Sequence, residues 1–150
     1  MKKIISIVCL MVMATSAMAQ FKDPVKWTFS ATKKSAKVYE LSYTAVIEKP
    51  WHLYSQTTPK GGPVPTKFTY KANPLATVTG LAKETGTLKN KHEEVFGVDV
   101  KYFDGKVVFT QTVTLKAPVK TNISGTIEYM VCDDTECQPP KKIPFDLPLQ

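Results

Sequence analysis

Apolar and polar residues alternate with a period of two along most of the chain, which is typical of half-buried β-strands. The three longest runs cover Val38–Ile47, Val107–Leu115 and Ile123–Val131. Shorter runs predict strands at Val25–Ser30, Leu53–Ser55, Thr66–Lys71, Ala76–Thr79, Val98–Phe103 and Lys142–Phe145. Beyond the first twenty residues, no segment keeps helical periodicity over ten or more positions.

Turn-forming residues separate these runs. Glycine and proline fall between them at Lys49-Pro50, Pro59–Pro63, Asn73-Pro74, Asp104-Gly105, Ala117-Pro118 and Pro139-Pro140. Asp104-Gly105 between two β-rich runs predicts a hairpin turn. Many short strands with turn signals between them predict an all-β fold, a β-sandwich of eight or nine strands.

The first nineteen residues predict a secretory signal peptide. Met1-Lys2-Lys3 is charged, residues 4–13 are apolar, and Ala17-Met18-Ala19 is a small-residue cleavage site. A buried N-terminal strand or helix is the alternative. The apolar run is too short to span a bilayer, and Cys9 follows Val8 rather than a small residue, so we expect no lipid anchor and no stable membrane insertion after cleavage. We expect a periplasmic protein whose single domain covers residues 20–150.

The charge of the chain argues against nucleic-acid binding. The formal net charge is +7, and it falls by two, to +5, without Lys2 and Lys3. Every basic side chain is a lysine, and none is an arginine, the residue best suited to forked contacts with phosphates and base edges. The interleaved lysines and acids indicate a solvated surface.

Cys132 and Cys137 are the most informative residues of the mature chain. In an oxidising compartment they are expected to form a disulfide, and so short a loop contributes only about 2 kcal/mol of chain entropy. A bridge that stabilises little is suited to opening, although a structural hairpin disulfide remains the alternative. A metal site with His52 and His92 is a third interpretation, but both histidines are distant in sequence, and we expect no metal and no other cofactor.

Acidic neighbours limit the reactivity of this pair. Asp133, Asp134 and Glu136 disfavour a thiolate, so the reduced pair is expected to be a weak nucleophile. We expect it to relay electrons instead: a partner's activated thiolate attacks the disulfide, and the electrons then pass onward. Lys141 and Lys142 are near enough in sequence to offset these carboxylates, and the sequence does not determine whether they do.

Four segments together are similar to one known family. The run Tyr129–Pro140, with its Cys-x4-Cys-x-Pro-Pro pattern, resembles the cysteine hairpin of the N-terminal periplasmic domain of the thiol:disulfide interchange protein DsbD. Trp51–Ser55, Gly62–Phe68 and Glu93–Gly97 resemble its aromatic strand, the segment after it and its cap loop, in the same order. The best-known members have one more residue between the cysteines.

The resemblance implies an immunoglobulin-like sandwich and a thiol:disulfide oxidoreductase activity. It implies that Cys132 and Cys137 are the redox pair, with Cys137 the site of mixed disulfides. The residues that would line or cap the site are His52, Tyr54, Glu93, Glu94, Val95 and Phe96. The implied partners are a membrane electron donor and thioredoxin-like proteins, and the alternative is a non-catalytic binding module with a structural disulfide.

Overall fold

The computed structural model describes residues 23–150, which form twelve β-strands and no helix. The predicted signal peptide and Cys9 lie outside the described residues. Nothing between residues 23 and 150 is a helix of the length and apolarity that a membrane crossing needs. The strands are β1 (Val25–Lys33), β2 (Val38–Ile47), β3 (His52–Tyr54), β4 (Lys67–Tyr70), β5 (Ala76–Val78), β6 (Lys83–Gly86), β7 (Lys89–Glu93), β8 (Val98–Phe103), β9 (Lys106–Leu115), β10 (Thr121–Tyr129), β11 (Val131–Cys132) and β12 (Lys141–Leu149).

The all-β prediction is confirmed, and β2 and β9 lie where the alternation placed them. β2 has the predicted bounds, and β9 begins one residue earlier than predicted. β6 and β7 were not predicted. Both are polar and mostly exposed, and each pairs with one strand only, so neither needs a buried apolar face. A search for apolar alternation therefore passes over them.

Two local predictions need correction. The predicted strand Ile123–Val131 is two strands, because β10 pairs with β12 and β4 whereas β11 pairs with β3 in another sheet. Asp104-Gly105 is a turn, with Gly105 at a φ of +69°, but it is not a hairpin. The flanking strands β8 and β9 belong to different sheets, so this turn carries the chain from one sheet to the other.

The main core lies between a five-stranded sheet and the sheets that face it. The larger sheet has the order β1-β2-β9-β5, with β6 also paired to β9, and a three-stranded sheet has the order β12-β10-β4. The predicted inward face of β2 is buried: Tyr39, Leu41, Tyr43, Ala45 and Ile47. Its Tyr43 ring lies 5.0 Å from that of Phe145 on β12, so aromatic contacts join the two sheets.

A close backbone approach fixes β4 against β10. A Cβ atom at Gly125 would lie 2.2 Å from the carbonyl oxygen of Thr69, so only glycine fits between the two strands.

The remaining four-stranded sheet, of order β11-β3-β8-β7, has two different faces. Leu53, Phe103 and Val131 belong to the main core. The opposite face carries Tyr54 and Cys132, and they form a second, smaller cluster with Val100. Because side chains alternate across a strand, one face of this sheet packs on the main core and the other face surrounds Cys132.

Candidate functional site

The two cysteines form a disulfide at the end of a tight hairpin. Cys132 ends β11, Cys137 lies opposite it in an antiparallel bridge, and their Cα atoms are 4.0 Å apart. Within the turn, Asp133 Oδ1 accepts hydrogen bonds from the backbone N–H of Thr135 at 2.7 Å and of Glu136 at 2.8 Å. These bonds favour the charged carboxylate and hold the pKa of Asp133 below its usual value. The hairpin is thus stabilised by its own hydrogen bonds as well as by the disulfide.

The two cysteines differ in exposure. Only 1% of Cys132 is exposed, whereas Cys137 lies at the surface. A pocket of about 300 Å³ borders Cys137; its other lining residues are Glu136, Gln138, Pro139, Pro140 and Lys141. An incoming group therefore reaches Cys137 directly, while the surrounding side chains shield Cys132.

Cys132 is buried against an aromatic face. The pairing of β11 with β3 places His52 directly across from it, and Tyr54 follows on the same face of β3. Both side chains were expected to line the site, and both lie on the face that carries Cys132. The partly buried side chains that pack against this cluster are Val98, Tyr102 and Met130.

The loop between β3 and β4 covers part of this face. A Cβ atom at Gly62 would lie 3.0 Å from Val98 Cγ2 and 3.4 Å from Val100 Cγ1, so the backbone there packs closely on β8. The backbone N–H of Val64 donates to Met130 Sδ at 3.4 Å. The loop therefore helps to exclude water from the region of Cys132.

A chain of polar groups extends from His52 to the surface. His52 Nε2 lies 3.2 Å from the Tyr54 hydroxyl oxygen and 3.5 Å from Glu93 Oε1, and the Tyr54 hydroxyl donates to Glu93 Oε1 at 3.4 Å. Lys91 Nζ lies 3.7 Å from Glu93 Oε1 and 3.2 Å from Asp134 Oδ1. This chain of contacts links the face that carries Cys132 to the acidic turn.

Burial determines the protonation states of His52 and Tyr54, the two innermost of these polar groups. Burial lowers the pKa of His52, against the opposing attraction of Glu93. Burial and the neighbouring Glu93 raise the pKa of the Tyr54 hydroxyl. Both side chains are therefore neutral at neutral pH.

Lys141 and Lys142, the lysines nearest the hairpin in sequence, both pair with acids outside it. Lys142 Nζ lies 3.3 Å from Glu128, and Lys141 Nζ lies 3.4 Å from Asp23, although Lys141 also borders the pocket beside the hairpin. Lys91, on β7, contacts Asp134, an acid of the cysteine turn. Pairing of β7 with β8 within the sheet, rather than proximity along the chain, brings Lys91 to the turn.

The predicted cap loop is the turn between β7 and β8. The backbone N–H groups of Phe96 and Gly97 donate to the Glu93 carbonyl at 3.1 and 2.7 Å, and Gly97 has a φ of +65°. Glu93 contacts His52 and Tyr54, so one end of the loop joins the site. Val95 is 85% exposed, Glu94 is exposed, and Phe96 is partly buried. Within residues 23–150, neither Val95 nor Phe96 packs on the cluster around the buried cysteine.

His52 and His92, the histidines of the metal interpretation, have different surroundings. His92 is exposed, and its Nδ1 lies 2.8 Å from Asp99 Oδ1. In the described part of the chain, no three side chains of the metal-binding types come together.

Lys91, Tyr102, Met130 and Gly62 belong to the site, yet sequence reasoning did not assign a role to any of them. The available signal was weak: Lys91 stands two residues before Glu93 and so shares its face of β7. It became informative only once β7 was known to be a strand.

The sequence matches the family model described as "Thiol:disulfide interchange protein DsbD, N-terminal" over residues 19–148. No curated protein sequence matches the chain. The match confirms the resemblance inferred from the cysteine hairpin and the three upstream segments.

Two solved structures are similar to this fold. The N-terminal periplasmic domain of ScsB from Proteus mirabilis has a TM-score of 0.57 at 14% identity, over 89% of this chain and 49% of that chain. The Neisseria meningitidis DsbD N-terminal domain in the reduced form has a TM-score of 0.55 at 14% identity, over 82% of this chain and 83% of that one. This chain therefore spans about half the length of the ScsB domain structure. At this identity the similarity shows the fold, which is the immunoglobulin-like sandwich of these domains.

Proposed function

We propose that this protein is a periplasmic thiol–disulfide exchange module, because the chain belongs to the family of DsbD N-terminal domains. Its Cys132–Cys137 pair accepts electrons from a membrane electron donor or a thioredoxin-like reductant and passes them to periplasmic client proteins. Residues 1–19 direct export in this proposal, and residues 20–150 form the exchange domain.

The observation that carries the proposal is the difference in exposure between the two cysteines. In the accepting reaction a donor thiolate attacks the exposed Cys137 sulfur, the disulfide breaks, and Cys132 leaves as a thiolate that takes up a proton. A second donor thiol then attacks the mixed disulfide, so the donor is oxidised to a disulfide and both cysteines here are reduced. In the delivering reaction the Cys137 thiolate attacks a client disulfide, and Cys132 resolves the mixed disulfide.

The hydrogen bonds of the hairpin argue against a purely structural disulfide. The backbone N–H of Asp133 donates to the Glu136 carbonyl, and that of Gln138 donates to the Val131 carbonyl, both at 2.9 Å. These bonds hold the hairpin without the sulfur–sulfur bond. The disulfide joins residues only five positions apart, so it restricts the unfolded chain little.

His52 and Tyr54 line the reaction site in this proposal, and the loop from Glu93 to Phe96 restricts access to it. The contacts of Glu93 with both lining residues support this role, since they anchor the first residue of the loop beside the buried cysteine. In this proposal Val95 and Phe96 are the residues of the loop that cover the disulfide, which requires the loop to move toward the hairpin, because neither packs on the cluster around Cys132 in the structure.

Single-cysteine variants test which sulfur exchanges. A thioredoxin-like probe with one active-site cysteine, activated as its 5-thio-2-nitrobenzoate adduct, is mixed with Cys132→Ser or Cys137→Ser, and release of the coloured thiol is followed. Cys132→Ser, which keeps the exposed Cys137, is expected to react at least about tenfold faster because a buried thiol is a poor nucleophile.

The matched control is the same pair of reactions in concentrated urea, where both variants are expected to react at similar rates. Equal rates in the folded proteins would contradict the assignment of Cys137. No reaction by either variant, together with a reduction potential below about −300 mV for the wild-type disulfide, would support a binding module with a structural disulfide instead.

A further inference from the structure

We infer that His52 is the proton acceptor and donor for Cys132, at the inner end of a path that runs through Tyr54 and Glu93 to solvent. This inference rests on the proposed exchange function and assigns the proton transfer that each exchange reaction requires.

The sheet register places His52 and Cys132 side by side on one face of the sheet. Cys132 and His52 are directly opposed in the antiparallel pair β11–β3, and such neighbours have Cβ atoms about 4.5–5.5 Å apart on one face of the sheet. Cys132 is 1% exposed and His52 is 5% exposed. Bulk water therefore has little access to Cys132, and His52 is the titratable side chain directly opposite it.

The hydrogen bonds determine which nitrogen of His52 is the base. The single proton of the Tyr54 hydroxyl is donated to Glu93 Oε1, so the hydroxyl oxygen accepts a hydrogen bond from His52 Nε2. A neutral imidazole has one N–H, which is then on Nε2, and Nδ1 carries the free lone pair. Among residues 23–150, no side chain or backbone group hydrogen-bonds to Nδ1. Nδ1 is the acceptor that this inference assigns to the thiol of Cys132, the cross-strand neighbour of His52.

The path is buried at its inner end and reaches the surface at Glu93. Tyr54 is 0% exposed and His52 5% exposed, whereas the Glu93 side chain is 12% exposed and lies 3.7 Å from the 36% exposed side chain of Lys91. A proton taken by His52 can thus reach solvent through Glu93 without crossing the apolar cluster.

The groups around His52 leave it neutral at neutral pH. From β7, Glu93 favours the imidazolium and Lys91 opposes it, and from the hairpin Asp134 favours it. Burial outweighs these charges and lowers the pKa of His52. The other titratable groups near it are Tyr102 and Asp104, on or after β8, and Asp133 in the turn.

The proton balance follows from this arrangement. When Cys132 resolves a mixed disulfide at Cys137, its thiol proton moves to His52 Nδ1, the sulfur–sulfur bond of the pair forms, and the partner leaves as a thiolate. In the reverse reaction the partner thiolate attacks Cys137, and Cys132 leaves and takes the proton back from the imidazolium. The base is lost when His52 is protonated, so resolution slows as the pH falls through the pKa of His52.

The test separates the two steps of exchange with glutathione disulfide. Reduced protein is mixed with it, the reaction is quenched at intervals with acid, and mass spectrometry follows the glutathione adduct at Cys137 and its conversion to the intramolecular disulfide. In the wild type the rate of the second step is expected to show a pH inflection below the ordinary histidine range. In His52→Gln the inflection is expected to disappear, and the second step to slow by about 10²-fold at neutral pH.

His92→Gln is the matched control, because it removes the exposed second histidine of the chain. It is expected to keep both the wild-type rate and the inflection. Unfolding in urea verifies that both variants are folded. Nitrogen chemical shifts of His52 in the reduced wild type are expected to show the proton on Nε2.

The outcomes separate this inference from the proposed function. If the glutathione adduct forms but His52→Gln and His92→Gln convert it at the same rate, the inference is wrong and the exchange function stands. If no adduct forms, the exchange function is wrong. In that case the proton transfer to His52 is tested by the pH dependence of Cys132 alkylation in a Cys137→Ser variant. If adding His52→Gln leaves this pH profile unchanged, the inference is overturned.

Discussion

Reduction of the disulfide is expected to destabilise the domain only slightly and to leave the hairpin folded. The bridge joins residues five positions apart, and loop-closure entropy for so short a loop is worth about 2 kcal/mol. On the folded side, the reduced protein keeps the bonds of Asp133 within the turn and the bond from the Gln138 N–H to the Val131 carbonyl. The free energy of unfolding should therefore fall by about 2 kcal/mol.

The assay is urea unfolding of the oxidised and reduced wild-type protein, followed by tryptophan fluorescence. The slope of the transition is expected to increase slightly on reduction, because the unfolded chain loses its cross-link, while the folded state is unchanged. Hydrogen exchange of the Gln138 amide reports the hairpin directly and should remain slow after reduction. A loss above about 4 kcal/mol, or rapid exchange of the Gln138 amide in the folded reduced protein, would refute the reasoning and indicate a structural disulfide.

Two further predictions concern the cap loop and the N-terminus. Phe96→Ala is expected to speed reduction of the disulfide by glutathione, because the proposed cap then lacks its ring; an unchanged rate, with Val119→Ala as a control at an exposed valine outside the loop, would show that this ring does not restrict access. Protein secreted by a bacterial host is expected to begin at Gln20, and an intact mass that retains Met1 or shows lipid on Cys9 would contradict the predicted cleavage after Ala19.

The site combines an accessible sulfur with a buried one, and the two depend on different parts of the fold. Cys137 belongs to the surface turn, which local hydrogen bonds hold. Cys132 belongs to β11, where the sheet places it beside His52 and the apolar cluster. Substitutions in the turn should therefore affect the encounter with partners, whereas substitutions in the sheet should affect the release and protonation of the buried sulfur.

The sequence alone determined the features that depend on residues close together along the chain. Alternation over Val38–Ile47 predicted β2 with its bounds and its buried face, because a strand with one side in the core must repeat every second residue. The spacing of Cys132 and Cys137 predicted a small disulfide loop, since so few residues separate them. The family followed from the motif around this pair and the order of the upstream segments.

The tertiary structure decided the features that depend on the pairing of strands distant in sequence. Asp104-Gly105 has the composition of a hairpin turn, but it joins two sheets, because the pairing partners of β8 and β9 are distant in sequence. β7 carries no apolar pattern and becomes a strand only through its hydrogen bonds to β8, which bring Lys91 to the cysteine turn. The burial of Cys132 likewise depends on β3, some eighty residues earlier, since strand register is a long-range property that local periodicity does not specify.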